Sequence, residues 1–201
     1  MRTVQNWSDT QLLAYSKEHL HYEIDMFFRV GMQLSQSDWA SQEPTVVTSR
    51  NALIESFLIH LRNLLLFLYP YEAEDEDVIS DDYFEKPIKD WKRKRTTESR
   101  TFREARARAS QEVCHLTVSR QPLQKWLFAE LMQELKPVLQ IFVDNASTTR
   151  LDGAVKTLVE SIDLNTKLYF LTDASTKSVG VAGATNSIHS ASFSFPQPEK
   201  R

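Results

Sequence analysis

Little glycine is present: four residues in 201, where a share of about 7% is ordinary. Strand-rich folds need many glycine turns, so this scarcity argues for long helices. Cysteine is scarcer still. With Cys114 alone, an intramolecular disulfide framework and a multi-cysteine zinc site are excluded, and the usage fits a reducing compartment. Neither charge dominates: 24 basic and 27 acidic residues give a net charge of −3. A globally basic nucleic-acid binder is thereby excluded, although a local basic patch is not. Long uninterrupted apolar runs are missing too. The most apolar stretch, Asn51 to Pro70, contains Glu55, His60, Arg62 and Asn63, so it reads as a core helix rather than a membrane span. The opening from Met1 to Ser8 lacks the apolar run of a secretory leader. The expectation is a cytoplasmic protein with no membrane partner. No Gly-x-Ser-x-Gly elbow, phosphate-cradling glycine loop or dinucleotide fingerprint occurs, so nothing suggests nucleophilic catalysis.

What is present suffices for a core. Hydrophobic residues make up 41% and aromatics 10%, which excludes wholesale disorder. Apolar residues recur at helical spacing in four long segments. The first is expected over 9–34, with Ser8 as N-cap, Gln11 at the capping-box position, and Leu13, Leu20, Ile24, Phe27 and Leu34 on one face. A polar run from Ser35 to Pro44 follows. The second is expected over 48–69, on Ile54, Phe57, Leu61, Leu64, Leu65 and Leu68, and Pro70 stops it. The third, 97–118, buries Phe102, Ala105, Ala109, Val113 and Leu116. The fourth, 123–145, has Pro122 for its first turn, the stripe Leu127, Leu131, Leu135, Leu139 and Phe142, and a kink expected at Pro137. A shorter helix is expected over 151–162. From Thr172 onward nine of thirty residues are Ser or Thr without apolar period, the composition of a flexible tail. The fold class is therefore all-α: a four-helix bundle over 1–165 with a Ser/Thr-rich tail over 166–201.

Residues 71–90 read as a connector with nine acids and two lysines, and 92–108 invert the balance with eight bases against Glu98 and Glu104. Such a basic run suits a phosphate backbone, with Trp91 as a stacking group. The simpler account is that the two segments screen each other.

Two polar constellations stand out. Arg108 and His115 are seven residues apart, nearly two helical turns, so their side chains point about 20° apart beside the apolar stripe. A histidine able to move a proton beside an arginine able to hold a phosphate suits phosphodiester chemistry. The same helix offers a plainer reading, in which Glu104, Arg108 and Glu112 form an i,i+4 ion-pair ladder and His115 bonds a backbone carbonyl. On the second helix, His60 flanks the stripe one turn from Asn63. Polar groups at a helix interface are costly unless paired. Asp81, Asp82 and His115 are the partners expected for them, with His60 and His115 approaching across the second and third helices. Two Glu-x-x-His matches, Glu18–His21 and Glu112–His115, raise a di-metal reading. Glu55 and Glu18 point away from their apolar stripes, where ligands of a buried centre would have to project inward. No metal or cofactor is therefore expected.

The segments Tyr15 to Glu23, Asn51 to Leu64 and His115 to Arg120, in this order over about 15–145, resemble a family of uncharacterised prokaryotic all-helical proteins. That family is similar in turn to the HEPN superfamily of four-helix domains. Many HEPN members are metal-independent ribonucleases or toxins, and others bind nucleotides or partners. Their signature is an Arg with four to six residues between it and a His late in the bundle, often with a polar residue after the Arg. Arg108 and His115 fit its outer limit, with Ala109 where a polar residue is usual. The resemblance implies an RNA-cleaving or RNA-binding protein of toxin or defence type. His115 would handle protons, Arg108 would hold the scissile phosphate, and His60, Asn63 and Asp82 would orient them. Implied partners are RNA, a protein partner such as an antitoxin, and a second copy of the chain in a homodimer. The rival expectation is a non-catalytic protein-interaction bundle in which these polar groups form a structural network.

Overall fold

In a computed structural model, the structure describes residues 7–37, 39–85, 91–111 and 126–164, together with the backbone course of 87–90. Among the described residues the regular structure is entirely helical. Helix α1 is continuous through three segments: Asp9–Tyr15, a π-helical turn Ser16–Leu20, and His21–Ser35. Helix α2 is Pro44–Leu68, α3 is Pro87–Lys94, α4 is Arg100–Ala109, α5 is Phe128–Asn145 and α6 is Gly153–Ser161. A 3-10 turn, Ser80–Tyr83, precedes α3.

The start of α1 follows its sequence signal. The Ser8 side chain accepts from the Gln11 N–H, and the Gln11 side chain accepts from the Ser8 N–H, so two orphan donors are satisfied together. Helix α2 begins at Pro44 rather than 48. Proline lacks the N–H that a first helical residue would leave unpaired, and the Glu43 carboxylate caps the turn by accepting from Val46 N–H at 2.9 Å. Helix α4 starts at Arg100, where Ser99 Oγ accepts from Phe102 N–H at 3.0 Å. Helix α5 begins at Phe128 rather than 123, because Leu127 leaves the helical region at φ −97° and ψ 67°. It continues through Pro137. Both Pro137 and Gln133, whose carbonyl loses a helical partner there, are exposed to water.

Helices α1 and α2 are antiparallel and packed along their length. Phe27 stacks on Phe57 at 4.7 Å between ring centroids, and Phe128 of α5 meets Phe57 edge-on at 5.0 Å. Gly31 makes this approach possible. A Cβ there would stand 2.5 Å from Met132 Sδ and 2.8 Å from Phe57 Cε2. Of the expected stripes, Leu20, Ile24, Phe27 and Leu34 on α1 and Phe57, Leu61, Leu64, Leu65 and Leu68 on α2 are buried. Leu13 and Ile54 are half-buried, and Leu12, beside Leu13, is the core residue of the first turns. Leu127 departs from its expected place and is exposed.

The acidic connector is not a passive tether. Tyr83, Phe84 and Trp91 are core residues. Trp91 stacks on Phe84 at 5.7 Å and meets Phe142 edge-on. Its Nε1 donates to the Leu68 carbonyl at 2.9 Å, and Arg95 Nη1 donates to the same oxygen at 2.5 Å. Two donors thus satisfy a carbonyl that the end of α2 leaves without a helical partner. Trp91 is an anchor of the core, and a ligand-stacking role for it is ruled out by its burial at 0% exposure. Arg150 performs a second tie, with Nε on Asp9 at 2.7 Å and Nη1 on the carbonyls of Asp82 and Phe84. Helix α2 is long and apolar enough to cross a bilayer, and 44% of its most apolar stretch is buried inside the protein. The expected tail, 166–201, lies outside the described residues.

Gly31→Ala tests the packing. A methyl group at this point displaces the Phe57 ring, which Phe27 and Phe128 hold on two sides. Overpacking costs about 1–3 kcal/mol and outweighs the helix propensity gained over glycine, about 1 kcal/mol. The variant is expected to unfold at lower urea concentration than wild type; equal or higher stability would contradict the close approach.

Candidate functional site

The described polar constellations form three separate groups. The first lies between α1 and α2. His60 is 7% exposed, and a buried imidazole needs a partner. It finds one across the helix pair: Nδ1 lies 2.7 Å from Glu23 Oε2. Asn63, one turn further along α2, donates its Nδ2–H to the same oxygen at 3.2 Å. A carboxylate acceptor places the proton on Nδ1 and leaves Nε2 as the basic nitrogen. Tyr22 meets the imidazole edge-on at 5.6 Å. The π-helical turn lies one turn before Glu23. Tyr15 and His19, four residues apart, bring their rings to 4.8 Å. Together with Trp7, Asn63 and Asp77, these residues border a hollow of about 320 Å³.

Asp82, expected to join His60 and Asn63, is engaged elsewhere. Its carboxylate accepts from the Ile79 N–H at 2.9 Å and closes the 3-10 turn, while its carbonyl accepts from Arg150. The carboxylate that unites His60 with Asn63 is Glu23, which sequence reasoning did not single out. A signal for it existed: Glu23 stands between Leu20 and Ile24 at the margin of the buried stripe, where an acid has reason to meet a polar group on a neighbouring helix.

The second group lines a cleft of about 550 Å³ between α4 and α5. The Arg108 guanidinium sits 3.8 Å from the centre of the Trp126 ring, a geometry for cation–π attraction. Arg100, Thr101, Glu104 and Glu130 complete the walls. Glu104 pairs with Arg100 Nε at 2.6 Å, one turn before the ladder expected through Arg108, whose far end at Glu112 lies outside the described residues. None of the described lining residues is shared with the hollow at Glu23. His115, and with it the pairing expected with Arg108 and the approach expected to His60, lies outside the described residues, as do Glu112 and Cys114.

The third group is Glu98 and the arginines around it. Glu98 is 3% exposed. Arg106 Nη2 lies 3.0 Å from one carboxylate oxygen and donates to the other at 3.1 Å, and Arg103 donates to the Glu98 carbonyl at 2.7 Å. Arg95 stacks over Tyr69 and Tyr71. Part of the basic segment pairs within itself, Arg106 on Glu98 and Arg100 on Glu104. Sequence spacing hid this, since Glu98 precedes α4 and folds back under it. Burial pushes the Glu98 carboxyl above its ordinary value, against the pull of Arg106, Arg103 and Arg95. Among the described residues no group of three or more His, Cys, Asp or Glu side chains is gathered as a metal ion would require.

Because the folded-state pKa of Glu98 is raised, its protonated form favours the fold. That contribution is complete below the ordinary carboxylate range and is lost as pH rises through the raised value. As pH rises from the ordinary carboxylate range through the raised value, the stability of Glu98→Gln relative to wild type is expected to increase, measured by urea unfolding. A relative loss over that interval would contradict the burial account.

Compared with family models, curated proteins and solved structures, the chain matches none.

Proposed function

We propose that the chain is an HEPN-like protein, with α1, α2, α4 and α5 as its four main helices, that binds RNA in the cleft at Arg108 and cleaves it by metal-independent acid–base chemistry. The observation that carries this reading is the stacking of Arg108 on Trp126, 3.8 Å from the ring centre, in a cleft of about 550 Å³. A guanidinium held on an aromatic face is pre-ordered and always charged, so it presents several donors to a phosphate at small entropic cost. The exposed Arg100 on the same cleft, and the exposed Lys92, Arg93 and Lys94 at the end of α3, supply the sequence-independent attraction that a phosphate backbone responds to. His115, seven residues after Arg108, is assigned the proton. It accepts the proton of the ribose 2′-hydroxyl as that oxygen attacks the phosphorus, and a second acid returns one to the departing 5′-oxygen. Arg108 stabilises the charge that gathers on the phosphate oxygens. The proposed setting is cytoplasmic, as a toxin or defence component with an antitoxin-like protein partner.

A second reading is favoured by the hydrogen bonding of His60. With Glu23 accepting from both His60 and Asn63, this group has the form of a structural network that fixes the α1–α2 register. A protein in which Arg108 and His115 did likewise would be a non-catalytic interaction bundle, assembling with a protein partner or as a homodimer.

Incubation of the purified protein with total cellular RNA in the presence of chelator separates the two. The proposal expects cleavage by wild type and a loss of about 10²- to 10⁴-fold in His115→Ala, with Arg108→Ala impaired in both cleavage and RNA retention and both variants natively helical. Intact RNA with wild-type protein would overturn the catalytic reading. Variants that unfold would favour the structural one.

A further inference from the structure

A second guanidinium–indole stack accompanies that of Arg108 on Trp126. Trp39, in the turn between α1 and α2, carries Arg50 of α2 over its ring, 5.2 Å from the centre. The indole is fixed on two sides. Its Nε1–H donates to the Leu34 carbonyl near the end of α1 at 3.2 Å, and its ring stacks on Phe128 at 5.8 Å. Arg50 is steadied as well, with Nη1 donating to the Trp39 carbonyl at 3.4 Å. Even so, Trp39 leaves 48% of its surface to solvent. A tryptophan that served only to close the core would be covered, as Trp91 is.

Phe128 joins the two stacks. Trp39 lies on its ring, and Trp126 stands two residues before it, a span of at most about 7 Å. Both platforms therefore belong to the same end of α5. Beside Arg50, a hollow of about 260 Å³ is bordered by Val46, Ser49 and Leu53, with no acid among its described lining residues. The neighbouring Glu43 carboxylate is occupied by the Val46 N–H and the Thr45 hydroxyl. An ordered, half-exposed indole beside an arginine combines the two contacts that hold an unpaired nucleotide. The ring face takes a base of any sequence, and the cation answers the phosphate next to it.

We propose that Trp39 and Arg50 form a second nucleotide subsite, in which a base of the bound strand stacks on the exposed part of the indole and Arg50 holds the adjoining phosphate. This rests on the RNA reading of the Arg108 cleft and adds a contact one or more nucleotides away from it.

The test uses the full-length protein and two uncleavable 2′-O-methyl oligonucleotides, a diuridylate and a hexauridylate, followed by anisotropy and by the indole N–H resonances. The hexanucleotide is expected to shift both Trp126 and Trp39, and the dinucleotide to shift Trp126 alone. Trp39→Ala should weaken hexanucleotide binding by about tenfold and leave dinucleotide binding unchanged. Arg50→Gln should lower the salt dependence of hexanucleotide binding by about 0.7 in the log–log slope, the share of one phosphate contact. It carries the test if Trp39→Ala disturbs the packing on Phe128. A hexanucleotide without its bases separates stacking from charge, and the Trp39 shift should vanish with it. Three results would overturn the subsite while leaving the Arg108 reading intact. They are a hexanucleotide that moves Trp126 but not Trp39, hexanucleotide affinity and salt slope unchanged in both variants, and a Trp39 shift that persists without bases. If neither oligonucleotide moves Trp126, the Arg108 reading itself fails and the subsite falls with it.

Discussion

Gly31 is where the main helices come close enough to share one core. A side chain at this position would collide with Phe57 of α2 and Met132 of α5, so its absence sets the separation and the register of α1 and α2. The polar geometry follows from that register. In an antiparallel pair, one turn backward on one helix faces one turn forward on the other. With Phe27 stacked on Phe57, Glu23, four residues before Phe27, is brought to His60, three after Phe57. Asn63 arrives one turn later on the same carboxylate oxygen. The hollow beside Glu23 is thus a product of helix packing, and its shape depends on the same aromatic contacts that hold the core.

Charge is divided just as sharply. The chain carries nearly equal numbers of acids and bases, yet they are not mixed evenly. Acids of α1 and the connector border the hollow, whereas α3 and α4 concentrate the bases. Part of that basic surface is used internally. Arg95 secures the end of α2, and Arg103 and Arg106 enclose the buried Glu98. Arg100 is likewise paired with Glu104, and Arg108 stacks on Trp126. A buried ion pair adds little net stability because desolvation offsets attraction, but it fixes geometry. Glu98 in this way positions the start of the helix that carries Arg108.

The helices were legible where an apolar period and a terminal signal coincided. Ser8 with Gln11, the stripe from Leu20 to Leu34 and the stop before Pro70 each joined a pattern to a local cause. Pro44 was read as the end of a polar loop, although proline suits the first helical turn as well as any residue. Helix α3 and the 3-10 turn were hidden by charge: nine acids drew attention away from Tyr83, Phe84 and Trp91, whose irregular spacing shows no helical period and whose burial depends wholly on tertiary contacts. The candidate site was legible as residue types rather than as partners. That His60 and Asn63 needed an acceptor followed from their position beside an apolar stripe. That the acceptor was Glu23, 37 residues earlier, required the α1–α2 register. Trp126 was likewise invisible as a platform for Arg108, because it belongs to the approach to α5 and meets α4 only in the folded chain.

The central claim is that RNA engages the face of α4 and α5 that carries Arg108. The four tryptophans occupy distinct places, with Trp126 under Arg108, Trp7 at the acidic hollow, Trp91 in the core and Trp39 beside Arg50. A titration with a short single-stranded RNA, followed by the four indole N–H resonances, therefore reports which face is used. The account predicts that the Trp126 resonance moves first and furthest, that Trp91 and Trp7 stay in place, and that Arg108→Ala abolishes the shift. RNA binding that leaves Trp126 unmoved, or that moves Trp7 instead, would contradict it.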